Sequence, residues 1–279
     1  MTIIAMTREM GTLGKDIAAG VADQLGLEVI HHELVESDVS KRLDIGSSEV
    51  HHFLEGHPNL MERWNIDRSR LSRYTAEEIL KLAAQGNVLI RGWGAANLLR
   101  SITHVVCVRI CAPMLYRVRI MKERLKIKND LIALKEIEQN DSAHTRTIRN
   151  FFESDWKNPN NYDIVLNTER LPVDVCIDQV CQLSKSPNFR ESDATKTILS
   201  DKLIEFRVRD VLIPFNSDRF DGQNVYSTKV SSGTVHLSGT TSSDEASRHV
   251  IELVSGVPGV TTVDADLATV YPYFSYTID

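Results

Sequence analysis

Residues 2–26, TIIAMTREMGTLGKDIAAGVADQLG, contain the pattern that decides the fold. The apolar run at 2–6 predicts a buried strand, and two glycines, Gly11 and Gly14, predict a turn after it. A helix ending at Gly26 follows, and its apolar residues share one face: Ile17, Ala18, Val21, Ala22 and Leu25. A strand, a glycine turn and a helix N-terminus together present free backbone N–H groups to an anion. The stretch therefore predicts either a phosphate site or the strand-turn-helix of an ordinary α/β core.

The turn matches the phosphate-loop pattern G-x-x-x-x-G-K-[ST] only in part. Gly14-Lys15 fits, and a lysine at this place reaches the outer phosphates of a nucleotide. Glu9 occupies the first glycine position, and Asp16 occupies the Ser/Thr position. The strand and helix around the turn therefore support the prediction more than the pattern does. The predicted phosphate-binding residues are Gly11, Thr12, Leu13, Gly14, Lys15 and Asp16.

Composition limits the classes of function. The chain has 279 residues, 42% hydrophobic and 25% charged, with a net charge of −6. These are values of a globular protein, and the negative charge argues against a nonspecific grip on nucleic acid or an anionic membrane. The N-terminal apolar run lacks the basic lead-in of a signal peptide, and no apolar run approaches membrane-spanning length. A cytoplasmic protein is therefore expected.

The cysteines and histidines do not form recognisable metal or redox motifs. None of the four cysteines, Cys107, Cys111, Cys176 and Cys181, forms a C-x-x-C pair, so buried free thiols are expected. Five histidines cluster early in the chain, but their spacing matches no ligand pattern: His31, His32, His51, His52 and His57. A metal role for them is not expected.

The first part of the chain alternates between strand and helix patterns. Strands are predicted at 2–6, 27–31, 87–91, 104–110 and 162–167, with helical stretches between them and an irregular region at 39–73. A capping box at 75–78, with Thr75 as N-cap, predicts a helix that ends at Gly86. This order indicates an α/β fold with a doubly wound parallel sheet at 1–184. Ligands of such sheets bind at the carboxyl ends of the strands, where the glycine turn lies.

A second domain is predicted after a polar linker at 185–194. Residues 195–279 show the order helix, strand, strand, helix, strand, which is typical of a small α+β module. A capping box at 242–245 predicts the start of its second helix. This region holds no nucleophile with a base, no metal spacing and no glycine loop beside a lysine. We interpret it as a binding or interaction module.

Arginines at the predicted ligand edge favour phosphoryl transfer. Arg8 precedes the turn, and Arg91 ends a strand just before Gly92-Trp93-Gly94. Four more share helix faces in pairs: Arg117 with Arg124, and Arg146 with Arg149. Any one of them is better explained as a solvated surface residue. Together with the turn they indicate phosphoryl transfer, because such enzymes act mainly by positioning and by neutralising phosphate charge.

Residues 7–18, TREMGTLGKDIA, resemble the N-terminal motif of the cytidylate kinase-like proteins, a branch of the nucleoside monophosphate kinases. The resemblance continues through 92–95, 111–117, 141–152, 155–156 and 162–168. It implies a P-loop kinase-like fold, ATP as phosphate donor, Mg²⁺, and CMP, dCMP or a related nucleotide as acceptor.

The resemblance also implies roles for individual residues. Arg8 and Arg91 would bind the acceptor, and Asp16, where many phosphate loops have a hydroxyl, would hold Mg²⁺. Lys15 would contact the transferred group, and three arginines would close over it: Arg117, Arg146 and Arg149.

Two further positions depart from the family pattern. Trp93 stands where relatives often have an arginine between two glycines, so that Arg91 would replace it. His144 stands where relatives often have a lid arginine, so that Arg146 or Arg149 would have to serve. Asp16 and His144 favour a rival hypothesis, a non-catalytic nucleotide sensor, whereas Lys15 and the arginines favour an enzyme.

The C-terminal module resembles a BON domain at 230–240 and 257–263. Many BON domains are exported and contact phospholipid, but this module has no basic patch. A protein or small-ligand partner is therefore at least as well supported as membrane contact, and nucleic acid is not an expected partner. The sequence leaves the oligomeric state open, a homo-oligomer included.

Overall fold

The computed structural model describes residues 1–44, 46, 48, 50, 68–92, 94–126, 128–216 and 224–270. The chain divides into two compact units, Met1–Ser192 and Asp193–Asp279. The end of the first unit contains a short 3-10 helix, Pro187–Phe189, and Phe189 packs against the core of that unit. The polar stretch predicted as a linker is therefore folded onto the first unit up to this point.

The first unit is built on a five-stranded sheet in which all neighbouring strands run parallel. Its spatial order is β2-β3-β1-β4-β5. The strands are β1 (Ile3–Arg8), β2 (Glu28–Ile30), β3 (Val88–Arg91), β4 (Val105–Cys111) and β5 (Ile164–Asn167). Because β1 is central and buried, it ends in the middle of the carboxyl edge of the sheet. The predicted parallel sheet is confirmed.

Helices cover both faces of this sheet. They are α1 (Gly14–Leu25), α2 (His32–Leu43), α3 (Arg68–Gln85), α4 (Ala95–Leu99), α5 (Met114–Leu125), α6 (Asp130–Phe152) and α7 (Val173–Ser184). Ile4 and Met6 of β1 share a core with α1 and α7. Their neighbours Ile3 and Ala5 point to the other face, where α4 contacts β1 and α3 contacts β3.

The region predicted to be irregular, 39–73, contains more helix than expected. Helix α2 extends to Leu43 and α3 begins at Arg68, so Thr75 lies inside a helix and the prediction that it is an N-cap was wrong. Packing between α2 and α3 explains the longer helix, because Arg42 lies over the Tyr74 ring, 3.8 Å from its centroid, and pairs with Glu77. Trp64 lies outside the described residues.

The second unit confirms the predicted order helix, strand, strand, helix, strand. Its elements are α8 (Asp193–Asn216), β6 (Asn224–Ser231), β7 (Thr234–Thr241), α9 (Asp244–Ser255) and β8 (Thr262–Thr269). β7 pairs with β6 antiparallel and with β8 parallel. Apolar residues of both helices and all three strands form its core, among them Ile204, Val208, Val235, Leu237, Val250 and Val254.

Two details of the second unit are set by local backbone geometry. Gly239 has a φ of +144°, and a Cβ there would lie 1.9 Å from the carbonyl oxygen of Asn224, so no side chain fits. Helix α9 has Ser243 as its N-cap, whose hydroxyl accepts from the Ala246 N–H at 3.1 Å. The predicted capping box had placed this cap one residue earlier. None of the described helices is long and apolar enough to cross a membrane.

Candidate functional site

The turn between β1 and α1 is a tight loop whose shape requires its glycine. Gly11 has a φ of +80°, and a Cβ there would lie 2.7 Å from the backbone oxygen of Arg117. Leu13 also adopts a left-handed conformation, with a φ of 59°, which is strained for a residue with a side chain. Helix α1 begins at Gly14, and no side chain caps it. The Asp16 N–H already donates to the Leu13 carbonyl at 3.0 Å, so the N–H groups before it, at Gly14 and Lys15, are the ones that can meet an anion.

Glu9 holds the start of this loop. Its side chain is buried, and its carboxylate accepts from Arg109 Nη2 at 2.6 Å and from the Ala112 N–H at 3.2 Å. Its backbone N–H donates to Ile110 and its carbonyl accepts the Thr12 hydroxyl at 2.7 Å. Glu9 had counted in the sequence only as a departure from the phosphate-loop pattern. The structure shows that an ion pair anchors the loop where that pattern has a glycine.

Arg117 lies beneath the loop and has its donors engaged there. Its Nε donates to the Met10 carbonyl at 2.7 Å, and its two Nη atoms donate to the Asp141 carboxylate at 2.8 and 2.6 Å. The residue is only 3% exposed, and one Nη lies 3.7 Å from Glu9. The predicted catalytic role of Arg117 is untested. Its position differs from the expected one over the phosphates, because its guanidinium is committed to protein atoms.

Glu9, Arg109, Arg117, Asp141 and Lys157 together form what we call the inner network. Lys157 Nζ lies 3.7 Å from Asp141, and its carbonyl accepts from Arg109 Nη1 at 2.6 Å. The Trp156 ring lies beside both cations, 5.5 Å from the Arg109 guanidinium and 5.4 Å from the Lys157 amine. Three cations thus share two carboxylates, which joins the loop to α6.

His144 lies on the same side of α6 as Asp141, with its ring 4.4 Å from that of Trp156. Its pKa is lowered to about 4, mainly by burial; Asp141 opposes this effect, and Arg8 and Arg109 add to it. Its Nε2 is buried without a hydrogen-bond partner among the described residues. A neutral imidazole therefore stands where relatives often have a lid arginine.

A second group of charges, the open face, consists of Arg8, Lys15, Asp16, Arg91 and Arg124. Arg8 packs on Gly14, where a Cβ would lie 2.8 Å from that of Arg8. The pKa of Arg8 is lowered to about 10, first by burial and then by Arg91 and Arg124, while Asp16 has the opposite effect. Arg91 and Arg124 therefore lie near Arg8, which itself packs on the first residue of α1. Lys15 is exposed and has no ion-pair partner within the described chain.

Arg124, which the sequence grouped with Arg117 but gave no role of its own, is a member of the open face. Its Nη2 lies 3.2 and 3.3 Å from the Asp16 carboxylate oxygens, and both side chains are partly exposed. Asp16, the predicted Mg²⁺ ligand, thus faces a cation. An exposed carboxylate here still fits Mg²⁺, because that ion keeps several waters and needs few protein ligands beside phosphates. Across the described ranges no group of three or more acidic, His or Cys side chains is arranged for a metal.

Arg91 lies at the same edge as Arg8, as predicted, because Met6 of β1 pairs with Arg91 of β3. It is mostly buried, and its Nη2 lies 3.4 Å from His31 Nδ1. The loop after it packs on α6, since a Cβ on Gly94 would lie 2.3 Å from Phe152. Trp93, His51, His52 and His57 lie outside the described residues.

Arg146 and Arg149 were predicted to close over the phosphates, and both are exposed on α6. Arg146 follows Asp141 by five residues, which at about 100° per residue places it on the far side of the helix. There it borders a shallow surface depression with other α6 residues: Lys135, Glu138, Gln139, Ser142 and Ala143. The structure therefore turns Asp141, and not Arg146, toward Arg117. The roles of Arg146 and Arg149 stay predictions.

The thiols agree with the sequence interpretation. All four cysteines are free, and Cys107, Cys176 and Cys181 are buried. Burial raises the pKa of the Cys107 thiol to about 12, which makes a reactive thiolate unfavourable at neutral pH.

Comparison with solved structures gives a fold likeness for the first unit. An uncharacterized protein from Eubacterium ventriosum is 18% identical with a TM-score of 0.53, covering 67% of this chain and 99% of that one. A shikimate kinase from Bacteroides thetaiotaomicron is 14% identical with a TM-score of 0.42, covering 66% and 99%. At these identities the first likeness concerns the fold alone, and the second supports no argument. No curated protein matches the chain with significance.

Family models match both units. Residues 3–170 match the cytidylate kinase-like family, and residues 200–271 match the BON domain. The first match spans more than half of the chain and includes the loop, the inner network and the open face. The chain therefore belongs to the cytidylate kinase-like family and carries a BON domain after its kinase-like unit.

Proposed function

We propose that the first unit is an ATP-dependent nucleoside monophosphate kinase. One observation supports this most directly: Arg8, Lys15 and Arg124 lie at the start of α1, which no side chain caps, and Arg91 lies near Arg8. Cations beside uncapped backbone N–H groups suit a polyphosphate. Membership of the cytidylate kinase-like family supports phosphoryl transfer as the chemistry.

Each group of the open face has a role in this proposal. The loop N–H groups and Lys15 hold the donor phosphates, while Arg8 and Arg91 hold the phosphate of the acceptor. Asp16 would hold Mg²⁺, which neutralises charge that develops on the phosphates. No general base is needed, since an acceptor phosphate is already ionised. Catalysis then depends on positioning and electrostatic stabilisation.

The finer points are proposals drawn from the family. CMP or dCMP is the proposed acceptor, and its base would be selected by the region 39–73, most of which lies outside the described residues. A cytoplasmic location and a regulatory or binding role of the BON domain, toward a protein or a small ligand, complete the proposal.

The test is an ADP-release assay with ATP and Mg²⁺ across CMP, dCMP, UMP and AMP. We expect turnover with at least one pyrimidine nucleotide and its loss in excess chelator. Arg119→Ala is the control, since Arg119 is an exposed α5 residue that stacks on Tyr116, 4.9 Å from its ring. It should retain turnover. Absence of turnover with every acceptor would contradict the proposal.

The second candidate function is a nucleotide sensor without catalysis, and one observation favours it. Asp16 is paired with Arg124, and His144 is neutral where a cation would serve transfer. A sensor would bind ATP with Mg²⁺ in calorimetry yet release no ADP with any of the four acceptors.

A further inference from the structure

We infer that Glu9, Arg117 and Asp141 are positioning residues, through which helix α6 sets the shape of the phosphate loop. The inference rests on the proposed function for its meaning, because it concerns the same loop. None of the three needs to contact a nucleotide. Asp141 acts through Arg117, and Arg117 and Glu9 contact the loop backbone.

The first step of the argument is that the loop is held at successive backbone positions. The Glu9 carbonyl accepts the Thr12 hydroxyl, and the Met10 carbonyl accepts Arg117 Nε. Gly11 lies directly against the backbone of Arg117. The directions of the loop N–H groups therefore depend on where Glu9 and Arg117 sit.

The second step is that Arg117 is itself held from α6. Asp141 accepts both of its Nη groups, and Arg117 and Asp141 are 3% and 7% exposed. The guanidinium of Arg117 is planar, and its two Nη groups are held by the Asp141 carboxylate. The position of Asp141 therefore fixes the direction in which Nε points at the Met10 carbonyl. No contact joins Asp141 to the loop directly among the bonds of the described residues, which makes its influence indirect.

The third step concerns binding. Backbone N–H groups hold phosphate well only when they point at one place, so a small displacement of the loop weakens every one of them together. Weakening the Asp141–Arg117 or Glu9–Arg109 contact should thus reduce nucleotide affinity, although the open face keeps all its cations.

The experiment compares Glu9→Gln and Asp141→Asn with a matched control, Asp163→Asn. Asp163 is also a largely buried carboxylate that accepts from an arginine, Arg100, at 2.9 Å and from a backbone N–H, Cys107, at 2.7 Å. It lies just before β5, at the amino ends of the strands, whereas the loop lies at their carboxyl ends. All three variants lose one buried charge, and only two of them touch the inner network.

Two quantities are measured in each variant: amide hydrogen exchange of Glu9, Asp16 and Ile17 without nucleotide, and Kd for ATP with Mg²⁺. These three N–H groups donate to the Ile110 and Leu13 carbonyls and so report whether the loop keeps its shape. In Glu9→Gln and Asp141→Asn we expect exchange to quicken and Kd to rise, each by about tenfold or more. In Asp163→Asn both should stay within about twofold of the wild type, even though its unfolding midpoint falls. Arg117→Lys keeps the buried charge but cannot donate two parallel hydrogen bonds to Asp141. It serves as the second variant if the others fold poorly, and its exchange rate and Kd should lie between wild-type values and the tenfold changes expected above.

Equal exchange and equal Kd in Asp141→Asn and Asp163→Asn would overturn the inference. If the wild type binds no ATP, the proposed function fails, but the exchange data still decide whether α6 positions the loop. Faster exchange at Glu9, Asp16 and Ile17 in Asp141→Asn but not in Asp163→Asn would support the link from α6 without any ligand.

Discussion

Arg117 and Arg124 lie seven residues apart on helix α5 and face the same loop, yet their surroundings differ. Arg117 has a 4% exposed side chain, and its donors bind Asp141 and the Met10 carbonyl. Arg124 has a 41% exposed side chain, and it pairs with the exposed Asp16. A cation committed to buried partners holds the protein, whereas a cation in a solvated pair can exchange its partner for a phosphate. This contrast in burial is why we propose support for Arg117 and phosphate binding for the side of the loop where Arg124 lies.

The largest expected effect comes from removing the buried member of this comparison. Arg117→Ala removes both Nη partners of the buried Asp141, which keeps Lys157 at 3.7 Å, and it removes the donor to the Met10 carbonyl. This should lower the free energy of unfolding by about 3–5 kcal/mol. Arg124→Ala breaks an exposed pair, and should cost less than about 1 kcal/mol. Urea denaturation of both variants measures the difference. Equal losses would mean that the two arginines are not distinct in the way proposed.

The second prediction tests the open face by function. Lys15→Ala removes one charged contact to the transferred phosphate, so turnover should fall by about two to three orders of magnitude. The unfolding midpoint should hardly change, because Lys15 is exposed. Lys122→Ala, which removes an exposed α5 lysine paired with Asp130, is the control and should retain turnover. A Lys15→Ala enzyme with normal turnover would exclude Lys15 from the mechanism.

The third prediction uses pH to test whether the buried His144 imidazole resists protonation in the folded protein. The pKa of His144 is lowered in the folded protein, from an ordinary 6.5 to about 4, so protonation favours the unfolded chain. Stability from this group is complete above pH 6.5 and is lost as pH falls toward 4. The loss amounts to about 1.4 kcal/mol per pH unit within that window.

Denaturation of wild type and His144→Gln at pH 7 and pH 5 measures this effect. The wild type should lose about 2 kcal/mol more than the variant over these two pH units, since other titrations cancel in the difference. Identical pH dependence of the two proteins would show that the imidazole is not buried against Arg8 and Arg109 in solution.

The smallest effect is expected from removing the second unit. Residues 1–192, cut where the first unit ends, should keep the wild-type Kd for ATP with Mg²⁺, because every residue of the inner network and the open face lies within them. Residues 193–279 should fold alone and bind neither ATP nor anionic liposomes. Salt-sensitive sedimentation with liposomes would instead restore a phospholipid role, and an insoluble 1–192 fragment would show that the boundary is wrong.

Local patterns in the sequence were enough to predict most of the architecture. The strand, turn and helix at the N-terminus, the parallel sheet and the order of elements in the second unit all follow from periodicity and turn residues close together in the chain. The exception is α3, whose first turns depend on packing against α2 through Tyr74 and Arg42. Contacts between residues this far apart in the chain leave no local sequence pattern from which they could be predicted.

The sequence by itself determined the loop and helix start at which we propose that a phosphate binds, because the loop, the start of α1 and Lys15 are consecutive residues. Only the tertiary structure decided which arginine supports the loop and which faces the solvent. Helical spacing places Arg117 and Arg124 on one face, but it does not say what that face meets. Glu9 and Arg109 are 100 residues apart and Arg117 and Asp141 are 24 apart, so their pairing follows from sheet order and helix packing. Burial, rather than residue type, separates the two arginines.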